Sequence, residues 1–289
     1  MTTLSKRGPA IAFLVPALVI YTAIVVVPIV QAAYLSLTEW NGVSPMKFVG
    51  VANYVDIFRD GVFLKSLLNN VVYILVVMST QIVVGLVVAI MVSYLGASRD
   101  LVRTLYFIPA VITVVAIAQL FRSIYSYEPT GLLNKLLLAL GAKPIPWLSN
   151  YTTALPAVSF VEGWQFIGIY LIIFYSALIA VPTDIVEAAQ MDGAVDLKLL
   201  FYVKLPYIRN VIGLSLILSL VGALRGFAVP LLLTRGGPGS QTEILATYMY
   251  KKAFQSIKLG YGSAVAVVIA VISFVGVILI QRSTGSGEE

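Results

Sequence analysis

The sequence predicts an all-α integral membrane protein with six transmembrane helices, and three observations carry that prediction. The 289-residue chain is 60% hydrophobic and only 11% charged, where soluble domains are about 45–50% apolar and ~25% charged. Its mean hydropathy is +0.97. Its apolar residues gather into runs long enough to cross a hydrocarbon core ~30 Å thick at ~1.5 Å per residue.

Six such runs lie at approximately Ala10–Leu35, Val71–Leu95, Leu105–Ile124, Leu155–Ala180, Ile208–Leu233 and Gly262–Ile280. Lys6 and Arg7 precede the first. It is too long for a signal-peptide core, holds Pro16 and Pro28, and shows no small-x-small cleavage site, so it is expected to remain as a helix. Six spans put both termini on one side. Lys and Arg are denser in the short connections that follow the second and fourth spans, which favours cytoplasmic termini, although the longer opposite loops carry more of them in total. Those longer loops, Thr38–Asn70 and Ser126–Ala154, hold Trp40, Trp147 and several Tyr, which suits a membrane–water interface. Gly236, Gly237, Pro238 and Gly239 are expected to end the fifth helix in a turn. Residues 282–289, with "STGSGEE" at the end, read as a disordered tail.

Composition also removes chemistries. With no Cys and no His, disulfides, thiol catalysis and the commonest general base and metal ligand are gone. No metal site, no catalytic constellation and no directly bound cofactor is expected, and no G-x-x-x-x-G-K-[ST] phosphate loop occurs. A net charge of +6 is accounted for by basic loops beside anionic membrane lipid and calls for no nucleic acid.

One segment is out of character. "EAAQMDGAVDLKLLFYVKLP", Glu187–Pro206, is polar and charged between two apolar runs. Pro182 precedes it, and Asp184 and Glu187 have the spacing of a capping box in a first turn that favours acids. Ala188 and Ala189 leave a small-residue surface beside Asp192; Gly193 is expected to break the helix, Asp196 to cap a second one, and Pro206 to start a new element. Two readings follow from the pattern: an interfacial amphipathic connector, or a docking helix for a cytoplasmic partner.

The E-A-A, three residues, Gly, nine residues, V-x-L-P arrangement resembles the EAA loop of ABC-transporter permease subunits, with Val203 in place of the usual Ile. Further segments in order, "FVGVANYVDIFRD", "RTLYFIPAVI", "GLLNKLL", "LTRGGPG", "TYMYKKAF" and "GYGSAVAVV", resemble the carbohydrate-import branch, MalF-like and binding-protein-dependent. The resemblance implies the type I ABC importer permease fold. Residues 1–66 would form a first helix and outer loop, and residues 67–281 a type-1 permease domain with its cytoplasmic coupling loop at 182–206. It implies a non-catalytic permease subunit forming half of the pathway in a bacterial plasma membrane. The implied partners are a second, MalG-like permease, a cytoplasmic ATPase dimer carrying ATP and Mg, an extracytoplasmic solute-binding protein and a carbohydrate. The coupling residues would be Asp184, Glu187, Ala188, Ala189, Asp192, Gly193 and Pro206.

Polar groups within spans are costly, so those present point to a pathway or to a partner helix. Glu162, Gly163, Trp164 and Gln165 lie in the fourth span, and an aromatic beside amide and carboxylate suits a sugar, with Gly163 leaving room. By resemblance this region helps line the sugar site. Ser219, one turn from Ser215, reads as helix packing or pathway, and Arg225 as a snorkelling cation or a pathway group that would accept an anionic sugar. Gln81 and Gln119 read as interhelical hydrogen bonds. The competing functions are a stand-alone secondary transporter, disfavoured by a nearly solitary Glu162 and no internal repeat, and an intramembrane enzyme, for which no constellation exists.

Overall fold

The computed structural model describes residues 7–96 and 98–285, with side chains from residue 13 onward. Among the described residues, four helical stretches are long and apolar enough to cross a membrane singly, and two bent helix pairs, each counted as one span, raise the number to six. The fold is therefore the expected helical one, with differences at the boundaries. The second span begins at Gly61 and runs to Ser93, 33 residues in all, well before the apolar run from which it was expected. The sixth, Leu259–Thr284, continues into the segment read as tail; residues 286–289 lie outside the described residues.

The chain separates into two compact units: residues up to Asp60 together with Met249–Ala270, and Gly61–Tyr248 together with Val271 onward. The first unit thus ends earlier than the expected boundary at residue 66 and includes a distant piece of chain. Within it, Arg7–Tyr21 and Val27–Leu35 are joined by a π-helical turn, Thr22–Val26. The wide turn precedes Pro28, whose missing N–H and ring are incompatible with a regular helix interior. Two short strands pair antiparallel, Thr38 with Phe48 and Glu39 with Lys47. Asn41 Oδ1 accepts from the amides of Val43 and Ser44 at 3.0 and 2.8 Å, which shapes the connecting loop. Buried Asn53, on helix Ala52–Arg59, donates to the carbonyls of Ser36 and Thr38 at 2.8 and 2.9 Å. Lys252 pairs with Asp60 at 2.9 Å.

The second unit holds the central spans. The third span consists of Arg99–Val111 and Val114–Tyr125, bent by 100°. Pro109 removes one helical donor near the end of the first half. Ile112 and Thr113 are extended (ψ 141° and 140°), so the helix restarts in a new direction. The fourth span, Ala154–Gln165 and Ile167–Ile179, bends by 48° at Phe166. The halves pair off: Arg99–Val111 packs on Ile167–Ile179, and Val114–Tyr125 packs on Ala154–Gln165. Gly168 permits the first pairing, since a Cβ there would stand 2.1 Å from the Tyr106 carbonyl oxygen. Gly85 similarly lets the second span approach the fourth, with Tyr170 Cβ 2.9 Å from where its own Cβ would lie.

Outside the spans, buried amides organise the loops. Asn134, on helix Leu132–Ala139, donates to the carbonyls of Ser126 and Ile145 and accepts from the Ile145 amide and the Trp147 indole. The Gly-Pro-Gly turn does follow the fifth span, and Asn69 holds it by donating to the carbonyls of Ser240 and Glu243 at 3.0 and 2.8 Å.

Candidate functional site

The polar segment after the fourth span forms a helix, Thr183–Met191, that projects from the unit with none of its residues buried. Its first-turn acid is Asp184, but Pro182 occupies the cap position and no side chain caps the helix. The capping box read from Asp184 and Glu187 is therefore not formed, because the first turn begins two residues earlier than that pattern required. The other end behaves as expected. Gly193 has φ +83°, its amide donates to Gln190 O at 3.0 Å, and the Ala194 amide donates to Ala189 O at 2.9 Å. This pair of bonds closes a Schellman motif, in which glycine tolerates the left-handed residue. Asp196 does not cap the next helix: it is itself the first helical residue, at φ 48°, with Val195 before it. Leu200 is buried in one cluster with Val181 and Ile208, and Leu199 beside it is also buried. The segment is thus rooted at both ends while Asp184, Glu187, Ala188 and Asp192 face outward, with Met191 88% exposed at the tip. Pro206 lies in the turn Leu205–Tyr207, directly after a π-helical stretch, Leu200–Lys204.

The candidate pathway residues divide. Glu162, Gln165 and Arg225 come together around one cavity of about 370 Å³, with Val114, Phe166 and Gly226 among its other walls. The cavity lies where the third and fourth spans break and the fifth span is interrupted at Gly226. Gln165 is only 3% exposed. Its Nε2 donates to Ile112 O at 3.2 Å, while its Oε1 is buried without a partner. The Tyr73 hydroxyl is buried facing Glu162, yet makes no hydrogen bond of standard geometry. Arg225 is exposed at the end of helix Arg209–Arg225, so it stands at the cavity rather than burying its charge.

The other three play different parts. Trp164 packs edge-on against Phe121, ring centres 5.1 Å apart, within an apolar core. Gly163 does not leave room for a ligand: a Cβ there would lie 2.7 Å from Thr80 Cβ, so it serves the crossing of the second and fourth spans. Ser219 donates to Gln81 Oε1 at 2.6 Å, both residues buried, which is the interhelical hydrogen bond expected of Gln81 and places Ser219 in the helix packing read as its alternative. Gln119 is exposed.

A family model described as the binding-protein-dependent transport system inner membrane component matches residues 58–284. The chain belongs to this family of importer permeases. A probable ABC transporter permease of Bacillus subtilis, YurN, is 36% identical over 96% of each chain. The diacetylchitobiose uptake system permease NgcF of Streptomyces coelicolor is 33% identical, covering 96% of this chain and 83% of its own. A multiple sugar-binding transport system permease of Streptococcus mutans, MsmF, is 31% identical over 94% and 93%. Among solved structures, a bacterial alginate ABC transporter in complex with an alginate-bound periplasmic protein has a chain that superposes with a TM-score of 0.83. It is 20% identical over 96% of this chain and 94% of that one, a likeness of fold.

For this permease, the family assigns a membrane subunit of an ATP-driven system, not the ATPase itself. Sequence reasoning missed Val114, Phe166, Gly222 and Gly226 around the cavity, and Tyr73 behind it, beside Glu162 and Gly226. Gly226 could have been found: a glycine directly after an in-span Arg signals a helix interruption. Its Cβ would lie 2.9 Å from the Tyr73 hydroxyl, so the phenol and the glycine are a matched pair. Tyr73 and Val114 carried no signal, because apolar-run residues take on a role only when distant spans meet.

Proposed function

We propose that this permease subunit conducts a carbohydrate or closely related polyhydroxylated solute, that Glu162 and Arg225 are its polar contacts within the membrane, and that Thr183–Met191 is the docking helix for a cytoplasmic ATPase dimer. The observation that carries the reading is the convergence of a carboxylate, an amide and a guanidinium on one cavity between broken spans. Breaks in spans are tolerated where they line a cavity, and hydroxyl groups are recognised by such a mixed set of donors and acceptors. Relatives named for diacetylchitobiose and multiple-sugar transport support the solute class.

A second six-span permease would complete the pathway of which this subunit forms half. An extracytoplasmic binding protein would deliver the solute to the opposite end from Thr183–Met191, placing both termini in the cytoplasm. ATP and Mg would be held by the ATPase and not by this chain. The docking helix is rooted in the same core as Tyr170 and Phe174 of the fourth span, so displacement of Glu187–Gly193 is passed to the span that carries Glu162.

Arg225 beside the cavity favours solutes that present an acidic group or several acceptor oxygens, and Glu162 binds hydroxyl hydrogens. The test is uptake of a panel of neutral and acidic oligosaccharides by cells carrying Glu162→Gln or Arg225→Ala in place of the native chain. Loss of one charge-assisted contact of ~1.5–3 kcal/mol should weaken uptake of the transported solute by about 10–100-fold in KM or rate. Native uptake in both variants would refute the site.

A further inference from the structure

The unit formed by residues 61–248 and 271–285 contains two separate apolar cores. One, at the end that carries the coupling helix, gathers Val92, Tyr170, Leu178, Leu200 and Ile208. The other gathers Tyr73, Phe121, Val158, Ala223 and Ile244. Their boundary crosses four spans, and each span is irregular or polar there. In the second it falls between Val77 and Ile82, inside the π-helical turn Ser79–Val84. In the third it falls between Val102 and Val114, an interval that contains the break Ile112–Thr113, and in the fourth between Trp164 and Phe166. In the fifth it falls between Leu216 and Ala223, where Ser219 and Gly222 stand. Well-packed apolar blocks resist deformation, whereas a layer of interrupted helices can absorb it.

Two hydrogen bonds join the spans within this layer. One is Ser219 Oγ to Gln81 Oε1 at 2.6 Å, and the other is Gln165 Nε2 to Ile112 O at 3.2 Å. The second is the more telling. Ile112 O is the carbonyl that an unbroken helix would pair with the amide of Ala116, and Gln165 is the last residue before the bend of the fourth span. A single side chain therefore bridges the break of one span to the break of the next. Its other end, Oε1, is buried with no donor, a state disfavoured enough that native proteins seldom keep it without a use. Donors are near: helix Val114–Tyr125 starts with no side-chain cap, so its first amides lack helical partners, and Val114 borders the same cavity as Gln165.

The geometry points to Gln165 as a positioning residue for transport, whose amide pins the break of the third span to the bend of the fourth and exchanges its partner when the two cores shift against each other. In the state described, Nε2 holds the Ile112 carbonyl. In the alternate state, Oε1 takes an amide at the start of Val114–Tyr125. The inference rests on the permease reading above and adds to it a hinge internal to one subunit.

The chain contains no Cys, so within it labels attach only at introduced cysteines, and any native cysteines of the partner subunits are replaced first. Leu105 and Leu120 flank the break and are 55% and 49% exposed. Leu105→Cys and Leu120→Cys, spin-labelled together in the intact importer purified with its own partners, measure the bend with and without ATP and vanadate. The expected result is two distinct label distances whose proportions shift with nucleotide. Gln165→Leu should merge them into one broad, nucleotide-insensitive distribution and lower maximal ATP turnover about tenfold while KM for ATP changes less than about twofold. Gln165→Met, close in length and without polar atoms, gives the same reading where the Leu variant does not assemble. A nucleotide-dependent shift preserved in these variants, or one fixed distance in the native chain, overturns the inference. Impaired oligosaccharide uptake by Glu162→Gln alongside an unmoved hinge would retain the solute site and discard the pin. The reverse outcome would retain the hinge and discard the site.

Discussion

Ser219 and Gln81 show how a single hydroxyl can matter inside a span. With Ser219 Oγ donating to Gln81 Oε1 at 2.6 Å in a buried setting, Ser219→Ala leaves an acceptor without its partner and should cost about 1–3 kcal/mol. Replacing both residues with apolar ones of similar size should recover most of that loss. Thermal unfolding in detergent across the double-mutant cycle checks it, and additive losses would show the bond to be unimportant. Gly168 makes a different demand. A methyl group would collide with the Tyr106 carbonyl oxygen and with Phe107 Cα, both backbone atoms, so Gly168→Ala should force the helices apart at about 1–3 kcal/mol. The measurement is again the unfolding midpoint, with Gly222→Ala, where nothing lies within 4 Å of a new Cβ, as the variant expected to change little.

Among the elements, helix Thr183–Met191, proposed above as the docking helix, depends on its terminator. Gly193 at φ +83° meets no neighbour within 4 Å of an added Cβ, so the penalty for another residue is conformational and not steric crowding, about 1–2 kcal/mol for a left-handed L-residue. Gly193→Leu should unwind or redirect the last turn and abolish uptake, while the permease still reaches the membrane at normal level. Normal uptake in that variant would sink the assignment of this helix. The sequence made the helix, its glycine stop and the following proline legible, because each rests on local backbone chemistry. It misled on Asp184 and Asp196, since a side chain with capping chemistry does not fix where the first turn starts. The broken third span was likewise read as one helix. Its residues are apolar on both sides of the break apart from Thr113, and Pro109 alone gives no sign of a 100° turn.

For the whole molecule, none of residues 13–35 is buried. Lipid satisfies such a surface, and so does a second permease. Cysteines placed singly along this span, at Leu18, Val19, Ile24 or Ile29, should cross-link to a co-purifying six-span subunit along one stripe and be lipid-accessible on the rest. Uniform lipid access at every position would show that this span makes no subunit contact. Composition and periodicity by themselves determined the membrane class, the number of spans, the exposed polar helix after the fourth span and, with ordered motifs, the family, because each is written in consecutive residues and in the hydrophobicity needed to cross a bilayer. Tertiary structure decided which polar groups share a cavity and which merely hold helices together. Glu162, Gln165 and Arg225 meet at breaks in three spans, whereas Gly163, Trp164 and Ser219, equally conspicuous in sequence, are used in packing. The reason is physical: in an apolar chain every polar side chain must find a partner, and whether that partner is a neighbouring helix or a passing solute depends on crossings between residues far apart in the chain.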